Sequence, residues 1–458
     1  MKRQNFPGRY FLKASLWPAL LLASLGANAN MAEQGHRASV AGIDVVTYPT
    51  SVKDVVVILG ALPAGDAMGT PGNIAVPTLA GMMLDRGTQS LDKFAIADKL
   101  DNVGAEIAFA VGAQSLEIRA KCLKKDLPLV MELIAADLRK PALQPQEFAK
   151  AKEQFIGSLQ ASLQNTEGRA HEAFDRAVFP EGHPNHPHAI AEYMTAARSA
   201  TLDEVKAFIA KYYGPAHMTL VMAGDVSPEI SQAEIARVFA GWSGGRDYIR
   251  PPPGAAASGA REIPVPLSGK PSVTVLLGQA TGLKYRDPDA LALRVGTAVF
   301  GHGFTGRLMG TVRDKEGLTY NIGAGMADDS ITDGDWAISA SFAPALLDKG
   351  IASTRRELVK WWADGITDVE LADRKQGLVG GYFVGMSTTG GVASSILTSL
   401  QRGYDLGWLD AYPEAVKALT RGQVNSAIKS HLNPETMVLV KAGSVGAAAA
   451  PTSPPPPR

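Results

Sequence analysis

Residues 214–226 read Gly-Pro-Ala-His-Met-Thr-Leu-Val-Met-Ala-Gly-Asp-Val, and residues 433–445 read Asn-Pro-Glu-Thr-Met-Val-Leu-Val-Lys-Ala-Gly-Ser-Val. Seven of the thirteen positions are identical. Self-similarity at this separation marks a duplication, so the chain is expected to hold two homologous halves. The order of patterns around the repeat agrees. Each half opens on a β-rich run (54–59; 272–277), passes through two helices to a pair of alternating strands, and closes with helices and a final strand. In the first half Ile96, Leu100 and Val103 share a helical face behind the N-cap candidate Ser90, and Gly104 ends that helix. Strands follow at 105–111 and 115–122. In the second half Asp287-Pro288 starts a helix reaching Phe300, and 336–342 alternates as a strand. Each half is predicted to be an α+β unit, a mainly antiparallel sheet with helices on one face.

The composition narrows the class. With 458 residues, 45 Lys plus Arg against 45 Asp plus Glu, and 46% hydrophobic residues, the chain is neither a disordered tail protein nor a fibre nor a generically basic nucleic-acid binder. Lys2, Arg3, Arg9 and Lys13 precede the apolar run 19–25, and Ala27-Asn28-Ala29 offers a small-x-small cleavage site. Residues 1–29 therefore read as a cleaved signal peptide rather than a membrane anchor, since the apolar run is too short to span a bilayer. Removing them takes away four positive charges and leaves 41 against 45, which implies no nucleic-acid partner. No later stretch holds eighteen uninterrupted apolar residues, so no membrane span is expected and the mature protein is placed in a bacterial periplasm. The one cysteine, Cys122, alternates with Leu116, Ile118 and Ala120 and reads as a core thiol.

Residues 241–270 carry Gly244-Gly245, Pro251-Pro252-Pro253 and two further prolines, Pro264 and Pro266. They are predicted to be a proline-stiffened linker between a first domain at 36–240 and a second at 271–445. The Ala/Pro-rich stretch 446–458 reads as a disordered tail.

Three patterns have chemical potential. Gly301-His-Gly-Phe-Thr-Gly306 satisfies a dinucleotide fingerprint in letters, but a helix and not a strand precedes it, so a helix-to-helix turn is expected. His183, His186 and His188 could attract a metal. The prolines between them fix an irregular loop and no carboxylate set completes a shell, so a solvated loop is expected. Residues 312–322 join a charged helix end to a strand, with Gly317 placed to stop the helix. Arg313 and Tyr320 can converge there on one point. On residue patterns alone, a surface arginine paired with Asp314 or Glu316 and a half-buried strand tyrosine is the competing reading.

Four stretches carry a family resemblance: Ala75-Val-Pro-Thr-Leu-Ala-Gly-Met-Met-Leu-Asp-Arg-Gly-Thr88, Val178-Phe-Pro-Glu-Gly-His-Pro184, Tyr212-Tyr-Gly-Pro215 with Ala223-Gly-Asp-Val226, and residues 300–322. Through them the sequence resembles the insulinase/pitrilysin-like metallopeptidases, the inverzincins, over nearly all of the mature chain. The resemblance implies two halves in a clamshell arrangement. It also implies an H-x-x-E-H helix in which two imidazoles bind zinc and the Glu acts as base, with a third ligand from a later helix. Laid on this chain, that motif puts Thr78 and Met82 at the histidines, Gly81 at the base and Gly157 near the third ligand, although a shift of register would bring in Glu153. None of Thr78, Gly81, Met82 and Gly157 can do the job. The pair Arg313 and Tyr320 is retained and looks like the family's arginine/tyrosine element.

In family members built of two chains, one subunit carries zinc and the other the Arg/Tyr pair. The resemblance therefore implies a chain not active alone, holding no cofactor itself. Its partner would be a homologous H-x-x-E-H-bearing subunit that holds the zinc, and its substrate an unfolded peptide. The alternative is a structural or assembly subunit with a peptidase-like fold and no role in proteolysis. An autonomous hydrolase lacks support, because no G-x-S-x-G elbow appears.

Overall fold

A computed structural model describes residues 30–70, 72–246, 254 and 259–445. The expected signal peptide, residues 247–253 and 255–258 of the expected linker, and the tail lie outside these residues. Six strands form a first sheet: β1 (His36–Val40), β2 (Ile43–Pro49), β3 (Val55–Leu62), β4 (Glu106–Val111), β5 (Leu116–Leu123) and β6 (Thr219–Gly224). Five form a second: β7 (Arg261–Pro266), β8 (Val273–Ala280), β9 (Thr319–Ala327), β10 (Asp335–Phe342) and β11 (Val438–Gly443). The orders are β1-β2-β6-β3-β5-β4 and β7-β11-β8-β10-β9. Setting β1 aside, the two sheets correspond strand for strand in order and pairing. In each, one pair is parallel (β2 with β6, β7 with β11) and the rest are antiparallel.

The thirteen-residue repeat falls on β6 and β11, which hold equivalent places inside their sheets. Their apolar residues divide by the two-residue period of a strand. Leu220 and Met222 face the core under one side of the first sheet, while Val221 and Ala223 face the other side. Both faces are buried, which explains a continuous apolar run where a half-solvated strand would alternate.

Three sequence expectations need correction. The first half opens with β1 and β2, ahead of the run at 54–59, and β7 lies inside the stretch read as linker. Pro264 and Pro266 suggested an irregular segment, but β7 is an edge strand, where a missing N–H costs no ladder bond. The helix expected behind Ser90 is Lys93–Asp101, capped by Asp92, whose carboxylate accepts from the Ala95 N–H at 2.8 Å. Gly104, at φ +62°, follows it as expected.

One face of each sheet carries that half's own helices. Val76–Met82, Leu127–Arg139, Leu202–Tyr212 and Pro228–Phe239 contribute Leu79, Val130, Val205 and Ile235 to the first core. The opposite faces are covered reciprocally. Helix Thr166–Val178, from the first half, lays Ala170, Phe174 and Val178 on Leu276, Val438 and Val440 of the second sheet. Helix Thr389–Gln401, from the second half, lays Val392, Ala393 and Ile396 on Val46 and Val221 of the first. The two halves thus exchange one helix each. No helix among the described residues is long and apolar enough to cross a membrane.

Candidate functional site

The helix that would bear zinc in the resembling family is Val76–Met82, started by Pro77 in its first turn. Thr78 donates its hydroxyl to Asp66 at 2.8 Å. Burial pushes the Asp66 carboxyl up to about 6, against the lowering effects of the Thr78 bond and of His188. Gly81 packs on β4, so that a Cβ there would stand 2.3 Å from Val111 Cγ2. A glutamate base has no room at that position. Met82 packs against the first core, and only its carbonyl has a polar role, accepting from Arg86 Nε at 2.8 Å. Gly157 is exposed on helix Pro145–Ser162, and Glu153 on the same helix is exposed as well. A hydroxyl, a thioether and two glycines do not fit a zinc ion, and among the described residues no group of three or more His, Cys, Asp or Glu is placed to hold a metal.

Two tests follow from this geometry. Gly81→Glu forces Val111 aside and is expected to destabilise the chain by about 1–3 kcal/mol in urea unfolding, as overpacking does. Asp66 binds its proton more tightly folded than unfolded, so stability falls as pH rises from its ordinary 3.8 towards about 6. Asp66→Asn keeps an oxygen for Thr78 and removes the charge. It is expected to gain about 1–2 kcal/mol at pH 7.5 and little at pH 4, a difference readable from denaturation midpoints at the two pH values.

The second element is built differently. Arg313 lies in a π-helical segment, Met309–Lys315, whose wide turn is closed by the Glu316 N–H donating to Thr311 O at 3.0 Å. Such segments recur at functional sites because the extra residue per turn re-aims a side chain. Gly317, at φ +63°, stops the helix in a left-handed turn, as its position predicted. β9 then begins with a bulge: Ala340 pairs with Ile322 but Phe342 with Thr319, leaving Tyr320 and Asn321 opposite one residue. The bulge breaks the in-out alternation, and Tyr320 is 85% exposed rather than half-buried. The Arg313 guanidinium sits 5.3 Å from the Tyr320 ring and 5.2 Å from that of Phe304, itself 73% exposed. Helix and strand side chains do converge.

The competing pairings are weak. Glu316 is turned away onto Ser353 and Arg356, and Asp314 touches Arg313 only at 3.5 Å from a half-exposed position. Phe304 was not singled out from the sequence, because nothing in the letters of its glycine-rich turn places it beside Arg313.

Two other motifs resolve. Gly301–Gly306 follows helix Ala290–Gly301 and leads into the π-helical segment, with no preceding strand, so nucleotide binding has no basis there. The histidine loop is not solvated as expected. His183 is buried, stacked on Phe179 at 4.6 Å. Its Nδ1 accepts from the Asn185 N–H at 3.1 Å, so its Nε2 carries the proton given to Asp333, also at 3.1 Å. His186 is tied to Phe179 O, and only His188 is half-exposed. Cys122 is buried as predicted, and burial pushes its thiol up to about 11.

Residues 199–378 match the family model described as the peptidase M16 inactive domain. That match spans 180 of the 458 residues, and over it the chain resembles the insulinase-like M16 peptidases. An uncharacterized zinc protease of Streptomyces coelicolor is 24% identical over 323 residues, 69% of this chain and 69% of that protein. The fold matches the crystal structure of a peptidase M16 inactive domain from Pseudomonas fluorescens with a TM-score of 0.82 at 23% identity, covering 91% of this chain and 100% of that one. It also matches the periplasmic protease PqqL from Escherichia coli with a TM-score of 0.73 at 15% identity, covering 96% of this chain but 49% of PqqL. The chain is thus an inactive M16-like peptidase homologue.

Proposed function

We propose that this chain is the zinc-less subunit of a heterodimeric periplasmic M16 peptidase and lends Arg313 and Tyr320 to a cleft whose zinc is held by an H-x-x-E-H-bearing homologous subunit. The observation that carries the reading is the exposed cluster of Arg313, Tyr320 and Phe304. A bulge and a π-helical segment present two aromatic rings and a guanidinium outward, where a fold built for stability alone would bury or pair them. Arg313 would donate charge-assisted hydrogen bonds to a main-chain carbonyl of an unfolded peptide, and Tyr320 would donate its hydroxyl to the oxygen that gains charge as the amide is attacked. Phe304 would shield the pair from water on the solvent side.

Two observations support the partner and the compartment. This chain spans about half of PqqL, the relation expected if one half of such a protease corresponds to this subunit and the other to its partner. The N-terminal pattern of residues 1–29 and the periplasmic setting of PqqL point to the same compartment. The test is reconstitution: this chain mixed with the H-x-x-E-H homologue should cleave an unfolded peptide that neither cleaves alone. Equal cleavage with and without this chain would favour a purely structural subunit.

A further inference from the structure

A cavity of about 410 Å³ lies among helices Asp368–Gly385, Thr389–Gln401 and Leu406–Ala418. It exists because the first helix presents Gly377 and Gly381, one turn apart, and a Cβ at either would enter open space. The opposite wall is aromatic. Trp408 stacks on Tyr404 at 4.4 Å and meets Tyr412 at 6.1 Å. Hydroxyl side chains of the middle helix, Ser394 to Ser399, line a third side. Apolar walls with a few convergent polar groups are the make-up of a small-ligand site.

Its charge is one-sided. Among the described residues no Asp or Glu lines the cavity, and the one guanidinium in its wall is Arg402. Arg402 lies 3.5 Å over the Tyr285 ring, and Arg294 lies over the same ring at 4.0 Å. Asp329 is engaged directly by Arg294, whereas the side-chain hydrogen bond of Arg402 is from its Nε to the Ser330 hydroxyl at 3.2 Å. Arg294 thus takes the Asp329 carboxylate, and among the described residues Arg402 forms no ion pair at this partly desolvated wall. Burial pushes the Arg402 pKa below its ordinary value, consistent with a cation lacking a close counter-ion.

We propose that this cavity receives the free C-terminal carboxylate of a peptide ending in an aromatic or large apolar residue, with the carboxylate on Arg402 and the terminal side chain against Trp408 and Tyr412. A single fork-shaped cation suits a planar monoanion better than a phosphate dianion. The cavity also sits beside the exposed cluster. His302 in its wall belongs to the turn that carries Phe304, and Arg374, on the glycine-bearing helix, donates to Thr305 of that turn at 3.1 Å. That the ligand is a peptide rests on the function proposed above; recognition of a carboxylate does not.

The test is calorimetric titration of the full chain with N-acetyl-Ala-Phe, with its C-terminal amide, and with benzoate. The acid is expected to bind about tenfold or more tightly than the amide, because the amide cannot offer Arg402 a charged acceptor. Arg402→Gln should remove that preference. Gly381→Leu should fill the cavity and abolish binding while leaving the helix intact or firmer, since glycine is the weaker helix former. Equal binding of acid and amide, or unchanged binding by Gly381→Leu, would overturn the proposal. Benzoate bound as tightly as the dipeptide would overturn the peptide assignment. The titration needs neither partner nor hydrolysis, so failure of Arg313 and Tyr320 in reconstitution would leave its outcome untouched.

Discussion

Arg313→Ala and Tyr320→Phe are each expected to lower kcat/KM of the reconstituted two-subunit peptidase by about 10²–10³-fold, the loss seen when one donor to a developing oxyanion is removed. The π-helical segment fixes Arg313 at its base, and the bulge in β9 turns Tyr320 outward, so the two donors are set before any substrate arrives. The rings of Phe304 and Tyr320, both near 5 Å from the guanidinium, hold it without a competing carboxylate contact shorter than 3.5 Å. Arg313→Lys keeps the charge but not the planar fork, and should recover only part of the loss. Association of the subunits, followed by size-exclusion chromatography, should be unchanged in Tyr320→Phe, which separates a role in chemistry from one in assembly. Full activity in both Arg313→Ala and Tyr320→Phe would remove the pair from the mechanism.

A stability effect of similar size is expected from the exchanged helices. Phe174 belongs to the first half by sequence, yet it is 1% exposed and packs on β8 and β11 of the second sheet. Phe174→Ala should cost about 3–5 kcal/mol, the usual loss when a buried phenyl ring leaves a cavity. Because the helix bridges the halves, the loss should appear in probes far from it in sequence. Trp336 and Trp361 are fully buried in the second core and stack at 5.8 Å, so their fluorescence reports on that core. Their unfolding midpoint in urea should fall together with that of far-ultraviolet circular dichroism. A lowered dichroism midpoint with an unmoved tryptophan midpoint would mean that the halves fold separately and that the exchange is incidental.

How much of this was legible in the sequence follows from the kind of signal each feature leaves. The duplication showed because the repeat falls on β6 and β11, whose two buried faces tolerate few substitutions. The helix exchange left no such mark. Helix Thr166–Val178 carries an apolar face, which says that something covers it but not that the cover is the sheet of the other half. β7 was hidden by its own prolines, tolerable only because it runs at an edge. Asp92 outcompeted Ser90 as cap through a register difference of two residues that periodicity does not resolve. His183 looked solvated because its partner, Asp333, stands 150 positions along the chain.

The site divides in the same way. That Thr78, Gly81 and Met82 offer neither imidazole nor carboxylate could be read letter by letter, whereas the crowding of Gly81 by Val111 is visible only in the fold. Gly317 and the helix-to-strand switch made a convergence of Arg313 and Tyr320 possible, but only the resemblance to insulinase-like peptidases favoured it over a surface pairing. Phe304, the β9 bulge and the Arg402 cavity depend on contacts between segments distant in sequence, which no local pattern encodes.

The most direct measurement is a continuous assay on one unfolded peptide with this chain alone, with its H-x-x-E-H homologue alone, and with the two titrated together. The account predicts negligible hydrolysis by either alone and a rate that rises with added chain to a plateau at one-to-one stoichiometry. Hydrolysis by this chain alone, with one equivalent of tightly held zinc, or a homologue whose rate ignores the added chain, would contradict it.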